Sequence, residues 1–127
     1  MKKWIFLISP VRKVPSREVE WAIAAYVTAR EREGYIVHWP KRDTDQKDPV
    51  GLRICSDNRA AIARADEVHI WWDKDSEGSK FDIGMLFMAL YTCGPGKKVV
   101  IANPEAVHPT ESKSFTNVLL ALAEGKR

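Results

Sequence analysis

Short apolar runs alternate along the chain with longer stretches in which apolar residues recur at helical spacing. Trp4 to Ile8 is a continuous apolar run, and similar runs lie at 35–39, 68–72 and 99–102. Continuous runs of this length are typical of strands that are buried on both faces of a parallel sheet. The stretches with helical spacing follow these runs in turn, at 16–33, 52–65, 81–93 and 114–124.

This alternation of strand and helix predicts one parallel sheet with helices on both faces. We expect a flavodoxin-like three-layer α/β/α sandwich with four to five parallel strands, which residues 1–127 form as a single domain. Ligands of such sheets bind at the carboxyl ends of the strands. A site is therefore expected in the loops that follow the strands, and the polar segment 41–51 is expected to be a mobile loop near it.

Composition and charge exclude several classes of protein. Hydrophobic residues make up 45% of the chain and charged residues 29%, which is ordinary for a globular domain. No apolar run approaches the ~18 residues that cross a bilayer, so no membrane partner is expected. A net charge of +3 is too balanced to indicate a nucleic-acid polymer as partner. The basic start of the chain carries only five apolar residues, so it predicts a strand rather than a signal peptide, and a cytoplasmic location is expected.

The sequence contains no complete motif for binding a metal ion or a nucleotide cofactor. The segment 73–78 resembles the start of a calcium loop, but Gly84 stands at the twelfth position, where that loop needs a bidentate carboxylate. The first strand is not followed by a glycine-rich dinucleotide or Walker motif. We therefore expect no metal and no cofactor.

The segment 73–82 carries the strongest candidate chemistry. Ser76, Gly78 and Ser79 are small enough for the backbone to approach a ligand closely, and a helix is expected to begin where the segment ends. The free N–H groups of a helix start favour an anion, either a ligand phosphate or Asp82 itself. Asp82 is then expected to stay ionised, as a carboxylate nucleophile requires. The structural alternative is that Asp82 only complements the helix dipole and that Ser79 caps the helix.

The run Gly78-Ser79-Lys80-Phe81-Asp82-Ile83-Gly84-Met85, together with the later strand entry Gly96-Lys97-Lys98-Val99-Val100, resembles the nucleoside 2-deoxyribosyltransferase family. That family includes the 2′-deoxynucleoside 5′-monophosphate N-glycosidases. Its members open this helix with Glu-Leu-Gly, and the Glu attacks the anomeric carbon of the sugar. The resemblance implies that Asp82 is the nucleophile and that Ser76 contacts the sugar. It also implies that Asp57 is a catalytic acid, because 57–66 is similar to the family's D-x-x-x-I-x-x-A-D pattern with one residue more before the Ile.

Other substrate-binding candidates lie around the first strand. The turn Ser9-Pro10-Val11-Arg12 resembles the Gly-Ser-Ile-Arg turn of the monophosphate-handling relatives. Arg12 would then hold a 5′-phosphate with two hydrogen bonds, and the alternative is a solvated surface arginine. Phe6 stands where the family usually has a Tyr whose hydroxyl orients the nucleophile. The resemblance thus places Phe6 and Ser9 in the substrate site with Arg12.

Tryptophans at the strand ends are candidates for a surface on which a base stacks. Trp39 ends the second apolar run and Trp71-Trp72 end the third. One of the tandem tryptophans must face each side of the sheet. Stacking a nucleobase on an aromatic ring is worth ~1–3 kcal/mol. The alternative is that these rings pack in the core.

The resemblance implies cleavage or transfer of the N-glycosidic bond of a (2′-deoxy)nucleoside or nucleoside 5′-monophosphate, with no metal or organic cofactor. It also implies a homodimer or larger oligomer, in which Ser114 and Asn117 are candidates for residues donated to the partner's site. The apolar stretch 81–90 suits such an interface as well as a core. The alternative is a nucleotide-binding or sensing protein without catalysis, which Phe6 and Asp82 favour. A plain interaction domain would leave the segment 73–82 unexplained.

Overall fold

Four strands form one parallel sheet in the computed structural model, which describes residues 1–94 and 96–126. The strands are β1 (Trp4–Ile8), β2 (Ile36–His38), β3 (Glu67–Ile70) and β4 (Lys98–Ile101), and their order in the sheet is β2-β1-β3-β4. Phe6 of β1 is paired with His38 of β2 and with Val68 of β3. The predicted α/β fold, a flavodoxin-like three-layer sandwich with four parallel strands, is confirmed.

Helices cover both faces of this sheet. Within the described residues they are α1 (Arg17–Arg32), α2 (Pro40–Asp43), α3 (Leu52–Arg64), α4 (Glu77–Thr92) and α5 (Phe115–Ala123), and a single 3-10 turn forms at Pro104–Ala106. None of the helices in the described part of the chain is long and apolar enough to cross a membrane.

Two apolar clusters hold the layers together, one on each face of the sheet. Successive residues of a strand point to opposite faces, and β1 contributes to both clusters. The cluster under α1 contains Ile5, Leu7, Ile23, Val27 and Val37. The larger cluster joins α3, α4 and α5 to the other face and includes Phe6, Ile8, Ile62, Val68, Ile70, Leu86 and Leu119. The second face therefore carries more of the core.

Ser16 and Ser76 mark the starts of α1 and α4, and the second of them changes the expected boundary. Ser16 Oγ accepts a hydrogen bond from the backbone N of Val19, so α1 begins where the sequence predicts. Ser76 Oγ accepts from Ser79 N at 3.2 Å, and α4 begins at the next residue. The expectation that this helix begins near residue 81 was wrong, because the small residues before it lie in the first turn of a capped helix.

The polar segment 41–51 is tied down by its own side chains. Arg42 Nη2 donates to the carbonyl of Val37 at 2.9 Å, and Asp43 Oδ2 accepts from the backbone N of Trp39 at 2.8 Å. Part of the segment belongs to α2. The polar residues that predicted a mobile loop therefore satisfy backbone groups and fix the path of the chain after β2.

Candidate functional site

The candidate site lies where the order of the strands reverses, because the chain passes from β1 to β2 and then crosses back to β3 on the other side of β1. β1 leads to β2 on one side, and β3 lies on its other side, so a crevice is expected beyond the carboxyl ends of β1 and β3. Ser9 follows β1 and is buried, and Trp72 follows β3 and is half-buried. The helix that comes after β3 carries Asp82.

Asp82 is a buried carboxyl in the second turn of α4, with 8% of its surface exposed. Burial raises its pKa to about 7, because a carboxylate loses hydration there, and a hydrogen bond from the Asn58 side chain opposes this rise. The expectation that Asp82 lies near the helix start and stays ionised for that reason was wrong. Asp82 is the sixth residue of α4, beyond the first turn in which the free N–H groups act.

A chain of buried hydrogen bonds leads from β2 to Asp82. His38 Nε2 lies 2.9 Å from Thr44 Oγ1, and Thr44 Oγ1 donates to Asn58 Oδ1, also at 2.9 Å. Thr44 is 6% exposed and Asn58 is 5% exposed. The chain gathers residues from the end of β2, the following loop and α3, and the Asn58 side chain connects it to the carboxyl of Asp82. We call His38, Thr44, Asn58 and Asp82 the Asp82 chain.

Phe6 packs against His38 of this chain and is not accessible to a ligand. Its side chain is fully buried, and its ring is stacked on His38 with centroids 5.3 Å apart and planes 16° apart. The prediction that Phe6 binds substrate is therefore corrected, because none of its surface is exposed. Phe6 acts on the site through the position of the His38 ring.

Asp57, the predicted catalytic acid, lies on the exposed surface of α3. It is exposed, and its Oδ2 lies 3.9 Å from Nε of Arg53 on the surface of α3. Neighbouring residues of a helix are about 100° apart around its axis, so Asn58 turns inward where Asp57 turns out. A signal for this was available, since counting the D-x-x-x-I pattern back from Ile62 without the extra residue falls on Asn58.

Ser76, Gly78 and Ser79 belong to the start of α4. Ser76 Oγ donates to Ser79 Oγ at 2.9 Å in addition to capping the helix, and Ser79 is 1% exposed. A Cβ added to Gly78 would meet nothing within 4 Å. The hydroxyl of Ser76, the predicted sugar contact, is thus hydrogen-bonded within the first turn of α4. No other described part of the protein packs closely against the backbone of Gly78.

Ser9 and Arg12, the remaining candidates after β1, differ in their surroundings. Ser9 is 7% exposed, and among residues 1–94 and 96–126 its Oγ has no hydrogen-bond partner. Arg12 is exposed on the loop before α1. A buried hydroxyl without a partner at a strand end is available to a ligand group, whereas Arg12 would reach one only from the surface.

The tryptophans divide between the two faces of the sheet. Trp39 and Trp71 pack on the α1 side, and Trp72 packs on the side of α3 and α4. The prediction that the tandem tryptophans face opposite sides is confirmed. Trp72 therefore shares the face of Asp82, and Trp39, the predicted base platform, lies on the other face.

Ser114 and Asn117, the candidates for donation to a partner, are bonded within their own turn. Ser114 Oγ accepts from the backbone N of Asn117 and caps α5. Asn117 Oδ1 accepts from the backbone N of Thr110 at 2.8 Å, and its Nδ2 donates to the carbonyls of Thr110 and Ser112. Both side chains hold the loop before α5.

Sequence reasoning missed His38, Thr44 and Asn58. His38 lies within the second apolar run, and Thr44 lies in the segment that was expected to be a mobile loop. The described residues contain no group of three His, Cys, Asp or Glu side chains that could hold a metal ion. No family model, curated protein or solved structure matches the chain.

Proposed function

We propose that this protein cleaves or transfers the N-glycosidic bond of a (2′-deoxy)nucleoside or nucleoside 5′-monophosphate, with Asp82 as the nucleophile. The observation that carries the proposal is a buried carboxyl that has a neutral amide for a partner. Buried carboxylates are normally paired with a cation, and among the described residues Asp82 has no ion pair. Strongly shifted pKa values of this kind cluster at functional sites.

The ionised form of Asp82 supplies the chemistry. Its carboxylate attacks C1′ of the sugar and forms a glycosyl ester, while the bond from C1′ to the base nitrogen breaks and its electron pair leaves with the base. The base takes a proton from water. A water molecule, or the nitrogen of a second base, then attacks C1′ and releases the carboxylate. With its pKa at about 7, Asp82 is ionised in a large part of the molecules at neutral pH.

The test is the release of free base from a panel of nucleosides and their 5′-monophosphates, measured by chromatography with and without an acceptor base. Asp82→Asn should lower base release roughly 10³-fold or more, because it removes the nucleophile. Asp57→Asn, an exposed aspartate on the neighbouring helix, is the matched control and should keep activity. Absence of release from every substrate would overturn the proposal.

The Arg12 side chain provides a test of the substrate class. If it binds a 5′-phosphate, Arg12→Ala should lower the ratio of monophosphate to nucleoside turnover about tenfold or more, since charge-assisted hydrogen bonds are worth ~1.5–3 kcal/mol. An unchanged ratio would remove Arg12 from the substrate site and favour a nucleoside.

The second candidate is nucleotide binding without catalysis. It is favoured by Phe6, which has no hydroxyl to orient a nucleophile and is fully buried. Calorimetric titration with the same panel distinguishes the two functions. Binding without any base release would support the second candidate, and it would leave Asp82→Asn with altered affinity rather than lost turnover.

We propose in addition that α4 pairs with a second copy of the chain. Phe81, Met88 and Tyr91 are 58%, 60% and 86% exposed, and they lie along one side of the helix with Gly84 between them. Sedimentation should show a dimer that Met88→Glu converts to a monomer. A monomeric wild-type chain at high micromolar concentration would contradict this.

A cytoplasmic location stays a prediction.

A further inference from the structure

We propose that the outer side of α1 is a docking surface for a second copy of this chain. The second copy packs on it with its own α1, antiparallel to the first, about a twofold axis that passes near Ala25. α1 covers the face of the sheet opposite to the one that carries α4 and Asp82. The inference therefore rests neither on the proposed function nor on the pairing of α4.

α1 is largely apolar on two opposite sides. Its inner side carries Ile23 and Val27, which are buried against the sheet. Each residue of an α-helix is turned about 100° from the one before it, so a second set of positions shares the side that faces away from the sheet. These residues are Glu18, Trp21, Ala22, Ala25, Thr28, Ala29 and Arg32. Between its two ends this side carries no charged residue, whereas the outer side of a helix that faces only water is usually charged and polar.

The charges at the two ends of this side indicate what covers it. Glu18 lies in the first turn of α1, and Arg32 is the last residue of the helix. Both are exposed, and among residues 1–94 and 96–126 neither side chain has an ion pair or a hydrogen bond. They lie at equal distances along the helix from Ala25. In an antiparallel pair of α1 helices centred on Ala25, Glu18 of each chain therefore faces Arg32 of the other, and the symmetric dimer contains this contact twice.

The shape of this side is complementary to itself in the same arrangement. Trp21 is 62% exposed, which leaves a large apolar ring in water. Ala22 and Ala25 beside it are exposed, and Ala29 is half-buried. Around the axis near Ala25, Trp21 of each chain faces Ala29 of the other, so a large side chain meets a small one. Large and small side chains that face each other in this way allow two helices to approach closely.

Other arrangements fit these residues less well. A parallel pair would bring Glu18 against Glu18, Arg32 against Arg32 and one Trp21 ring against the other, and it would also align the two helix dipoles unfavourably. A purely acidic or purely basic partner would be attracted to one end of this side and repelled by the other. A second copy in the antiparallel orientation matches both ends.

The experiment is sedimentation equilibrium of the full chain carrying Met88→Glu. Met88 is exposed on α4, so this change charges the other apolar surface and leaves α1 as the surface under test. One helix from each chain forms an interface below the ~1,200 Å² of standard complexes, so we expect a dissociation constant on the order of 10⁻⁴ M. The chain should be monomeric at ~10 µM and largely dimeric at ~1 mM. Trp21→Ala should raise the dissociation constant about tenfold or more, because it removes the large apolar side chain at the contact.

An exchange of charges tests the antiparallel geometry. Glu18→Arg and Arg32→Glu, each alone, should weaken association about tenfold, because each brings like charges together twice. An equimolar mixture of the two variants should associate again, since one chain then carries arginine at both facing positions and the other carries glutamate. Glu111→Arg and Lys113→Glu are the matched controls. They change the net charge by the same amounts at exposed positions before α5 and should leave association unchanged.

Each outcome decides a part of the proposal. Association that Trp21→Ala weakens and that the mixed charge variants recover supports it, whether or not the chain releases a base. A chain that stays monomeric at ~1 mM would overturn it and leave a different protein as the occupant of this side of α1. Association that Trp21→Ala leaves unchanged would also overturn it. Weakening by both single charge variants without recovery in their mixture would overturn the antiparallel arrangement.

Discussion

Asn103 and Trp72 exchange two hydrogen bonds just beyond the carboxyl ends of β4 and β3. Asn103 Oδ1 accepts from the backbone N of Trp72 at 2.7 Å, and Asn103 Nδ2 donates to the carbonyl of Trp72 at 2.9 Å. Asn103 is buried, so this side chain takes the place of a strand neighbour where the sheet pairing stops. It fixes the backbone that leads from β3 toward α4 and Asp82.

We expect Asn103→Ala to destabilise the protein by about 2–3 kcal/mol, because both backbone groups of Trp72 lose their partner. Asn103→Asp keeps an acceptor for the N–H and loses the donor to the carbonyl, so it should also be destabilising. The free energy of unfolding in urea measures both. A change below about 0.5 kcal/mol for Asn103→Ala would show that water replaces the side chain at this strand end.

Asp82→Asn should stabilise the protein at alkaline pH and not at acidic pH. The pKa of Asp82 is about 7 in the folded chain and about 3.9 in an unfolded one, so the folded state binds more protons between these values. Stability is therefore lost as the pH rises through this window, by an amount on the order of 4 kcal/mol once the carboxyl is fully ionised. Urea unfolding at pH 4 and pH 8 tests this, with Asp57→Asn as the exposed control. An equal effect of Asp82→Asn at both pH values would contradict it.

A second buried polar network lies on the α1 side of the sheet. Tyr26 Oη is 2.5 Å from His69 Nδ1, His69 Nε2 is 2.9 Å from Glu67 Oε1, and Tyr35 Oη donates to Glu67 Oε2 at 3.3 Å. His69 and Glu67 are 4% and 6% exposed. Burial lowers the pKa of His69 even though Glu67 opposes the change.

This network should make the protein sensitive to acid. With a lowered pKa in the folded state, His69 binds fewer protons there than in the unfolded state, so stability is lost as the pH falls below about 6.5. Asp82 acts in the opposite direction, and the test therefore compares Asp82→Asn with the double variant Asp82→Asn/His69→Gln. The double variant should lose less stability between pH 7 and pH 5. Parallel curves for the two proteins would rule out His69 as a source of the acid sensitivity.

Lys97→Met should destabilise the carboxyl end of α3. Lys97 is buried, and its Nζ donates to the carbonyls of Ile62, Ala63 and Ala65, the last by a short contact. These are carbonyls that a helix end leaves without intrahelical partners. We expect a loss of about 2 kcal/mol in urea unfolding, and little change in Lys98→Met, the exposed neighbour. Equal effects of the two substitutions would contradict the capping role.

The strands of the sheet were predictable because strands that are buried on both faces consist of unbroken apolar runs, and the helices were predictable from the spacing of apolar residues between these runs. The cap at Ser16 was predictable for a similar reason, since a polar residue directly precedes the helical spacing. The start of α4 was not, because serines and glycine favour loops and first helical turns alike. Residues that look the same in both settings carry no local signal for the boundary.

The surroundings of Asp82 were predictable only in part. Asp82 was singled out as a candidate from the sequence, whereas Thr44 and Asn58 are brought to it by packing between α3, α4 and the loop after β2. Asp57 was chosen because it matches the Asp of the family pattern, with one residue more before the Ile. Which of two adjacent helical residues turns inward depends on how the whole helix lies on the sheet.

β1 and β3 lie between the Asp82 chain on one face of the sheet and the network of Tyr26, His69 and Glu67 on the other. Their side chains alternate between the faces, with Phe6 and Val68 on the side of Asp82 and Leu7 and His69 on the other. The networks share no residue, so the energetic effects of substitutions in the two should add to within about 0.5 kcal/mol. Substitutions on the α1 side can therefore change how stability depends on pH without changing the pKa of Asp82 on the opposite side.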